Sequence, residues 1–430
     1  MTNVVNIRYS DVYIGRAGKG RDGYCGNPFR LSATERTNKI FTLKLKNMNS
    51  LQDQQGLNEV VINKVQRMIK NKQEDVRQTI SRLMHEGSIS QDYIAPIGAE
   101  LRQREQTPVI TFHGNEELVM NMRNERFTLH DNAVGQLAEK LNIPTQYLRT
   151  LARGDEWQKQ LAATVLNEHS SRTERRRALV RAVGTEVRGI LSDSYRRLNS
   201  VMILTAFMEE SSRQGAVVAD AKMTDTKIWA ETILPMPITI PTQKNGELII
   251  FMGARFSTSD YGDGAVDMRA FLLNGACLNG MVRESVMKQI HLGARLPDNL
   301  QLSNKTYELD TQTTVSATRD LTKSLFSREV IMQKAIEIQG ASEINVDFEA
   351  ELKKLVKGGS LHKSENEGIQ KILMHNNYDD GMQGGSTLWK LTQAITAHAR
   401  ELDVCRSREL HELSGMLMNR VKAIMTPQQS

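Results

Sequence analysis

The sequence predicts an α+β protein with a central, mostly antiparallel sheet and flanking helices, plus a small Gly-rich N-terminal unit and a helical linker. Apolar runs of strand length, separated by turn residues, follow one another between residues 178 and 282. Segments before and after this region carry apolar residues at helical spacing. With 430 residues, 39% of them hydrophobic, the chain is long enough for two or three domains.

Residues 1–48 form the predicted N-terminal unit. Two short strand-like runs precede a loop with several glycines, and nine Lys or Arg residues stand against three acids. Arg16, Lys19 and Arg21 lie in this loop, where backbone amides and cations together suit an anion. A mobile, solvated loop is the alternative interpretation.

Residues 49–107 are rich in Gln, Asn and charged residues, with apolar residues such as Val65 and Ile69 at roughly helical spacing. This pattern predicts one or two exposed helices that end near Gly87, followed by an irregular connector. We therefore interpret the segment as a polar linker between domains.

Residues 108–425 are predicted to form the main α+β domain. Thr128 and Asp131 resemble a capping box at the start of a helix. Pro144 separates two short helices that could form a helix-turn-helix, although the mostly apolar second helix favours core packing. Asn245 and Gly246 predict a hairpin between two strands. The last third is predicted to be mostly helical.

The most basic part of this domain is residues 172–197, with eight arginines and three acids in a chain whose net charge is +6. Residues 178–183 and 187–191 are apolar runs joined through Gly184, which predicts a β-hairpin. Arginine matches phosphate oxygens and stacks on bases, and tyrosine offers a stacking ring. The predicted nucleic-acid contacts in this segment are Arg175, Arg176, Arg177, Arg181, Arg188, Tyr195, Arg196 and Arg197. The alternative is that these arginines pair with acids elsewhere in the fold.

Other chemistry is weakly indicated. Cys277 and His291 are the nearest approach to a nucleophile and base, but Cys277 stands in an apolar run that favours an inert, buried thiol. The histidines and cysteines lack zinc-site spacing, so we predict no metal and no cofactor. Three widely separated cysteines and the lack of a signal sequence or apolar span favour a cytoplasmic protein of a bacterial host cell, away from membranes.

Residues 127–420, about two-thirds of the chain, resemble the phage- and plasmid-borne family known as domain of unknown function 932. The likeness is carried by residues 127–148, 177–196, 277–293 and 388–396, with Leu278 and Gln393 where the family usually has Thr and Asn. Residues 4–29 separately resemble domain of unknown function 4326, without the Cys- and His-rich segment that typically follows there. The resemblance implies a mobile genetic element and no particular activity.

These observations predict a nucleic-acid-binding protein whose partner is single-stranded DNA, with a role in annealing or as a replication or recombination accessory. It would act without bond chemistry, and a homo-oligomer is compatible with this role. Two alternatives stay open. One is an enzyme acting on nucleotides or nucleic acid through Cys277 or His291. The other is an interaction protein that binds a host factor.

Overall fold

The computed structural model describes residues 51–98, 110–174, 176–193, 195, 198–289, 303–374 and 385–421. For residues 51–58, 176 and 284–289 it describes the backbone alone. The predicted N-terminal unit, with Arg16, Lys19 and Arg21, lies outside the described residues. The chain divides into a unit of Met1–Gln55 and a second unit of Gly56–Ser430, and the description below concerns the second.

The first sheet has six strands, in the spatial order β1-β5-β6-β4-β3-β2. Its strands are β1 (Ser90–Ile97), β2 (Ile110–Gly114), β3 (Leu118–Met122), β4 (Glu125–Leu129), β5 (Arg176–Val183) and β6 (Glu186–Ser192). Strand β4 pairs with β6 in parallel, and the other pairs are antiparallel. Three helices cover this sheet, namely α2 (Asp131–Lys140), α3 (Thr145–Arg153) and α4 (Glu156–Arg172). Leu137, Leu148 and Leu166 from these helices join Phe112 and Met120 in one core.

The second sheet is antiparallel, in the order β12-β11-β10-β8-β7, with β9 also paired to β10. Its strands are β7 (Val217–Met223), β8 (Ile228–Ile233), β9 (Ile238–Pro241), β10 (Glu247–Thr258), β11 (Val266–Asn274) and β12 (Gly280–Gln289). Gly246, with φ of +67°, makes the β9–β10 turn, so the predicted Asn245-Gly246 hairpin is confirmed.

Both faces of the second sheet are buried. Successive strand residues point to opposite sides, and each side packs against helices. Ile249 and Phe251 pack against α1 (Leu51–Ile89), whereas Ile250 and Met252 pack against the C-terminal helices. The remaining helices are α5 (Ser200–Arg213), α6 (Asn304–Leu325), α7 (Arg328–Glu343), α8 (Phe348–Lys357), α9 (Lys363–Met374), α10 (Leu388–His398) and α11 (Val404–Leu417).

The α+β class and the mostly antiparallel pairing are confirmed, with two sheets in place of the single central sheet that we expected. The segment expected to be a linker differs most. Its described part contains the 39-residue helix α1 and strand β1, which pairs with β5 over eight residues. Val61, Val65 and Val76 of α1 are buried. Residues 56–97 are therefore an integral part of the larger unit.

Helix starts differ in detail from the sequence pattern. Thr128 lies in β4, and the N-cap of α2 is His130, whose ring accepts a hydrogen bond from the backbone of Asn132. The predicted capping box is therefore wrong, since a strand occupies its first position.

Among the described residues, no helix combines the length and apolar character needed to cross a bilayer.

Candidate functional site

The arginine-rich hairpin forms as β5 and β6, but its central arginine is buried. Arg181 is 7% exposed, and its guanidinium donates to both carboxylate oxygens of Asp92 at 2.7 and 2.9 Å. Its Nη1 also donates to the carbonyl of Asp260 at 2.8 Å, which joins the first sheet to a loop of the second. The predicted nucleic-acid role of Arg181 is therefore corrected to a structural one.

Arg188 has the same kind of role. It is 8% exposed and donates to Glu86 at 2.6 Å, to Glu186 at 2.7 Å and to the carbonyl of Asp225 at 3.1 Å. These partners lie on α1, on β6 and in the loop between β7 and β8. These bonds engage Nε and Nη1 of Arg188 inside the protein, which argues against the predicted contact with a phosphate.

Tyr195 is also buried, at 5% exposure, and its hydroxyl donates to the carbonyl of Ser259 at 3.2 Å. Burial raises the pKa of this phenol, followed in effect by the charge of Asp260. The ring is therefore not a stacking platform.

Arg177 is half-buried, with its Nε 4.0 Å from Asp193. The other predicted contacts in this segment lie outside the described side chains, namely Arg175, Arg176, Arg196 and Arg197.

A cavity of about 510 Å³ lies beside Arg181, between the two sheets. Its polar walls include Asp92, Ser200 and Asp260, and these groups bond to Arg181 or to one another. Among the described residues, none of its lining side chains has a buried polar atom without a hydrogen-bond partner. The arrangement links the two sheets.

A second cavity, of about 260 Å³, lies at the second sheet between α1 and α11. We call it the α1–α11 pocket. It is lined by Met68, Lys72, Ala219, Asp220, Lys222, Glu231, Phe271, Leu273, Leu278, Gly280, Arg400, Leu402, Val404, Ser407, Arg408 and His411. Charged side chains therefore meet here from α1, β7, β8, α11 and the short 3-10 turn Ala399–Glu401.

The charges in this pocket form one connected network. Lys72 donates to Asp220 Oδ2 at 2.9 Å, and Arg408 reaches the same oxygen at 3.2 Å. Arg408 also donates to Glu231, which accepts from Nε of Arg255 at 2.8 Å. Three cations thus share two carboxylates, and the network carries a positive charge.

The ring of His411 lies next to these positive charges and is neutral. Arg255 Nη2 lies 2.8 Å from His411 Nδ1, an arrangement in which the imidazole is neutral and accepts the hydrogen bond. Burial, and after it the charges of Arg255, Arg408, Arg400 and Lys72, hold the pKa of His411 well below its usual value. The proton of the neutral ring is then on Nε2, which is a donor.

Two buried polar atoms at this network have no hydrogen-bond partner among the described residues. One is Oδ1 of Asp220, a residue that lines the pocket and is 5% exposed. The other is Nη1 of Arg255, whose guanidinium stacks 5.3 Å from the centroid of the Phe271 ring. Unsatisfied buried polar atoms are uncommon in folded proteins and are expected where a ligand or water completes the site.

The outer surface of α1 extends the positive region. Lys64, Arg67, Lys70 and Lys72 fall within nine residues, and no acid occurs between Val60 and Gln73. Lys72 lies at the pocket, and Arg67 and Lys70 are exposed. Lys64 donates to the carbonyl of Ala276 and Arg400 to that of Cys277, so both cations are anchored to the same turn.

Cys277 is buried in this turn, and its thiol donates to Gln393 Oε1 at 3.5 Å. Asn279 also bonds to Gln393, through the backbone carbonyl at 3.2 Å. His291 lies outside the described residues, so its position relative to Cys277 is not described. Within the described ranges, no group of three or more His, Cys, Asp or Glu side chains could hold a metal ion.

The helix pair α2 and α3 packs as a structural element. Leu148 and Leu151 are buried, and Arg149 and Arg153 both reach Asp131, at 3.3 and 2.7 Å. Asp131 holds both arginines against α2 and balances one of the two positive charges that a helix-turn-helix would use on DNA.

Comparison of the chain with known proteins found no matching family model, no similar curated protein and no similar solved structure. The resemblance to domain of unknown function 932 therefore stays a prediction.

The sequence pattern did not predict the pocket, although a signal for it exists. Asp220, Glu231 and Arg255 each interrupt an apolar strand of the second sheet. Charged residues are rarely buried unless they are paired, so such interruptions indicate a buried charge network.

Proposed function

We propose that the protein binds nucleic acid, and that the basic surface of α1, with Lys72 at the edge of the α1–α11 pocket, contacts the phosphate backbone. The observation that supports this most directly is the incompletely neutralised group of Lys72, Arg255 and Arg408 around two carboxylates. A region of positive potential raises the local concentration of a polyanion and strengthens its binding.

The geometry of α1 suits a flexible strand. Lys64 and Lys72 are separated by about 12 Å along the helix axis, at 1.5 Å per residue. Arg67 and Lys70 lie between them in sequence and are exposed to solvent. The four cations are spread around the helix, since Lys70 lies about 160° from Lys72 at 3.6 residues per turn. A single strand can adapt its phosphates to such a spread, which makes single-stranded DNA the partner that we propose.

The test is fluorescence anisotropy with a labelled 30-nucleotide single strand, in a salt series from 50 to 300 mM. The double variant Arg67→Gln/Lys70→Gln is compared with Lys353→Gln/Lys357→Gln, which removes two exposed lysines from α8. The first variant should bind about tenfold more weakly at low salt. Its slope of log affinity against log salt should be shallower by about 0.7 for each phosphate that the variant no longer neutralises.

The control variant should bind like the unmodified protein. A protein that leaves the strand unbound at 50 mM salt, or a variant of α1 that binds as tightly as the control, contradicts the proposal. Duplex DNA and RNA of the same sequence, measured in parallel, test the strand preference. The setting on a phage or plasmid is a further part of the proposal and is supported by the resemblance of residues 127–420 alone.

No observation in the described residues favours the enzyme alternative. Burial and the hydrogen bond to Gln393 both suit Cys277 as a packed, unreactive thiol. The interaction-protein alternative predicts that no strand binds. The strand-binding experiment therefore distinguishes it from our proposal.

A further inference from the structure

The α1–α11 pocket combines cations, carboxylates and an apolar wall. Lys72, Arg400 and Arg408 supply cations, and His411 supplies a neutral ring with its proton on Nε2. Asp220 supplies the opposite chemistry. A ligand that satisfies this pocket therefore carries both an anionic group and a hydrogen-bond donor.

Three cations of the pocket are held in fixed positions by hydrogen bonds. Lys72 and Arg408 are held in place by their shared bond to Asp220 Oδ2, and Arg400 by its bond to the carbonyl of Cys277. Arginine and lysine held in this way can receive phosphate oxygens without first losing side-chain freedom. The position of Arg255 behind the Phe271 ring adds positive charge beyond the pocket wall.

The Asp220 carboxylate lies against these cations and contributes one oxygen that they do not bond. Asp220 Oδ2 accepts from two cations, while Oδ1 is buried and has no partner among the described residues. A buried carboxylate oxygen without a donor costs free energy, which a ligand N–H or O–H would recover. This oxygen thus selects for a donor on the ligand.

Size and apolar lining narrow the ligand class. The volume of about 260 Å³ is close to the lower end of the roughly 300–1,000 Å³ that is typical of ligand pockets. Phe271, Leu273 and Leu278 provide an apolar surface against which a planar ring can lie. The room suits one nucleotide and not a dinucleotide.

We propose that the α1–α11 pocket binds a single nucleotide, with its phosphate at Lys72 and Arg400 and an N–H of its base at Asp220 Oδ1. This deepens the proposed function, on which it rests for the link to a strand, because one residue of the bound polymer would enter the pocket.

The experiment is isothermal titration calorimetry of the full chain with dAMP, dCMP, dGMP and dTMP. Inorganic phosphate serves as a probe of the pocket's cations alone. Ser407→Trp fills the pocket without removing a charge, and Ser81→Trp places the same ring on an exposed part of α1. Lys72→Gln removes one cation that is partly in solvent. Thermal unfolding of each variant checks that it is folded.

We expect at least one nucleotide to bind with a Kd below 1 mM and at least tenfold more tightly than inorganic phosphate. Lys72→Gln should weaken binding about tenfold, Ser407→Trp should abolish it, and Ser81→Trp should leave it unchanged. Phosphate that binds as tightly as every nucleotide overturns the role of Asp220. Ser407→Trp that is folded and still binds nucleotide overturns the location.

The two proposals fail in different ways. A protein that binds the 30-nucleotide strand but none of the mononucleotides contradicts the pocket and leaves strand binding intact. A protein that binds a mononucleotide in the pocket but no strand supports the pocket and contradicts the proposed function.

Discussion

Replacing Arg181 with glutamine should destabilise the protein, because this side chain joins the two sheets. A solvated arginine, as a nucleic-acid contact would require, would give only a small change in stability. In the structure, the substitution removes two charged hydrogen bonds to Asp92 and one to the carbonyl of Asp260. It leaves a carboxylate and a carbonyl without their donor.

The expected magnitude follows from the burial of the pair. Breaking a buried ion pair by removing one partner costs about 3–5 kcal/mol. The Arg181 side chain is 9% exposed, but 24% of the Asp92 side chain is in contact with solvent, which lets water reach the carboxylate. We therefore expect the free energy of unfolding to fall by about 3 kcal/mol, at the lower end of that range.

Urea unfolding followed by circular dichroism measures this change. Arg172→Gln is the matched control in the same basic segment, since its side chain is 80% exposed and it pairs with Glu168 on its own helix. The control should be destabilised by less than about 0.5 kcal/mol. Arg181→Gln with an unchanged unfolding midpoint and weaker strand binding would refute the structural role and restore the hairpin as the nucleic-acid contact.

Three further predictions concern other parts of the larger unit. His411 is neutral when folded but takes up a proton near pH 6.5 when unfolded, so stability should fall below that pH by about 1.4 kcal/mol per unit more than in His411→Gln, measured by urea unfolding between pH 7.5 and 5. Iodoacetamide should label the exposed Cys405 well before the buried Cys277 in the native protein, read by mass spectrometry; equal rates would contradict the burial of Cys277. Gly415→Ala should cost more than about 3 kcal/mol, because a Cβ there would overlap the carbonyl of Val282, whereas Gly385→Ala, which has open space around it, should be nearly neutral in thermal unfolding.

The secondary structure of the arginine-rich segment could be predicted from its local sequence, but the environment of its side chains could not. Alternating apolar residues and a Gly-containing turn define β5 and β6. Arg181 is buried because Asp92 lies opposite it on β1, 89 residues earlier. A partner at that distance leaves no mark on the local pattern, so a buried arginine and an exposed one look alike in sequence.

The same reasoning explains why the α1–α11 pocket could not be predicted. Its central bonds join Lys72 to Asp220 and Arg408 to both Asp220 and Glu231, across separations of 148, 188 and 177 residues. The spacing of apolar residues in α1 predicts a helix, but its apolar stripe is too short and interrupted to show that it covers a sheet. The tertiary contact gives these residues their common environment.

The position of α1 has a consequence for how the chain acquires its structure during synthesis. Val61 and Val65 find their packing partners in Phe271 and Val282, which leave the ribosome roughly 200 residues later, or about 10–40 s at common elongation rates of about 5–20 residues per second. Throughout that interval the apolar stripe of α1 is without its native cover. The helix that carries the basic surface is thus made well before the strands that cover it, and a nascent chain needs either a chaperone or fast completion of those strands to protect it.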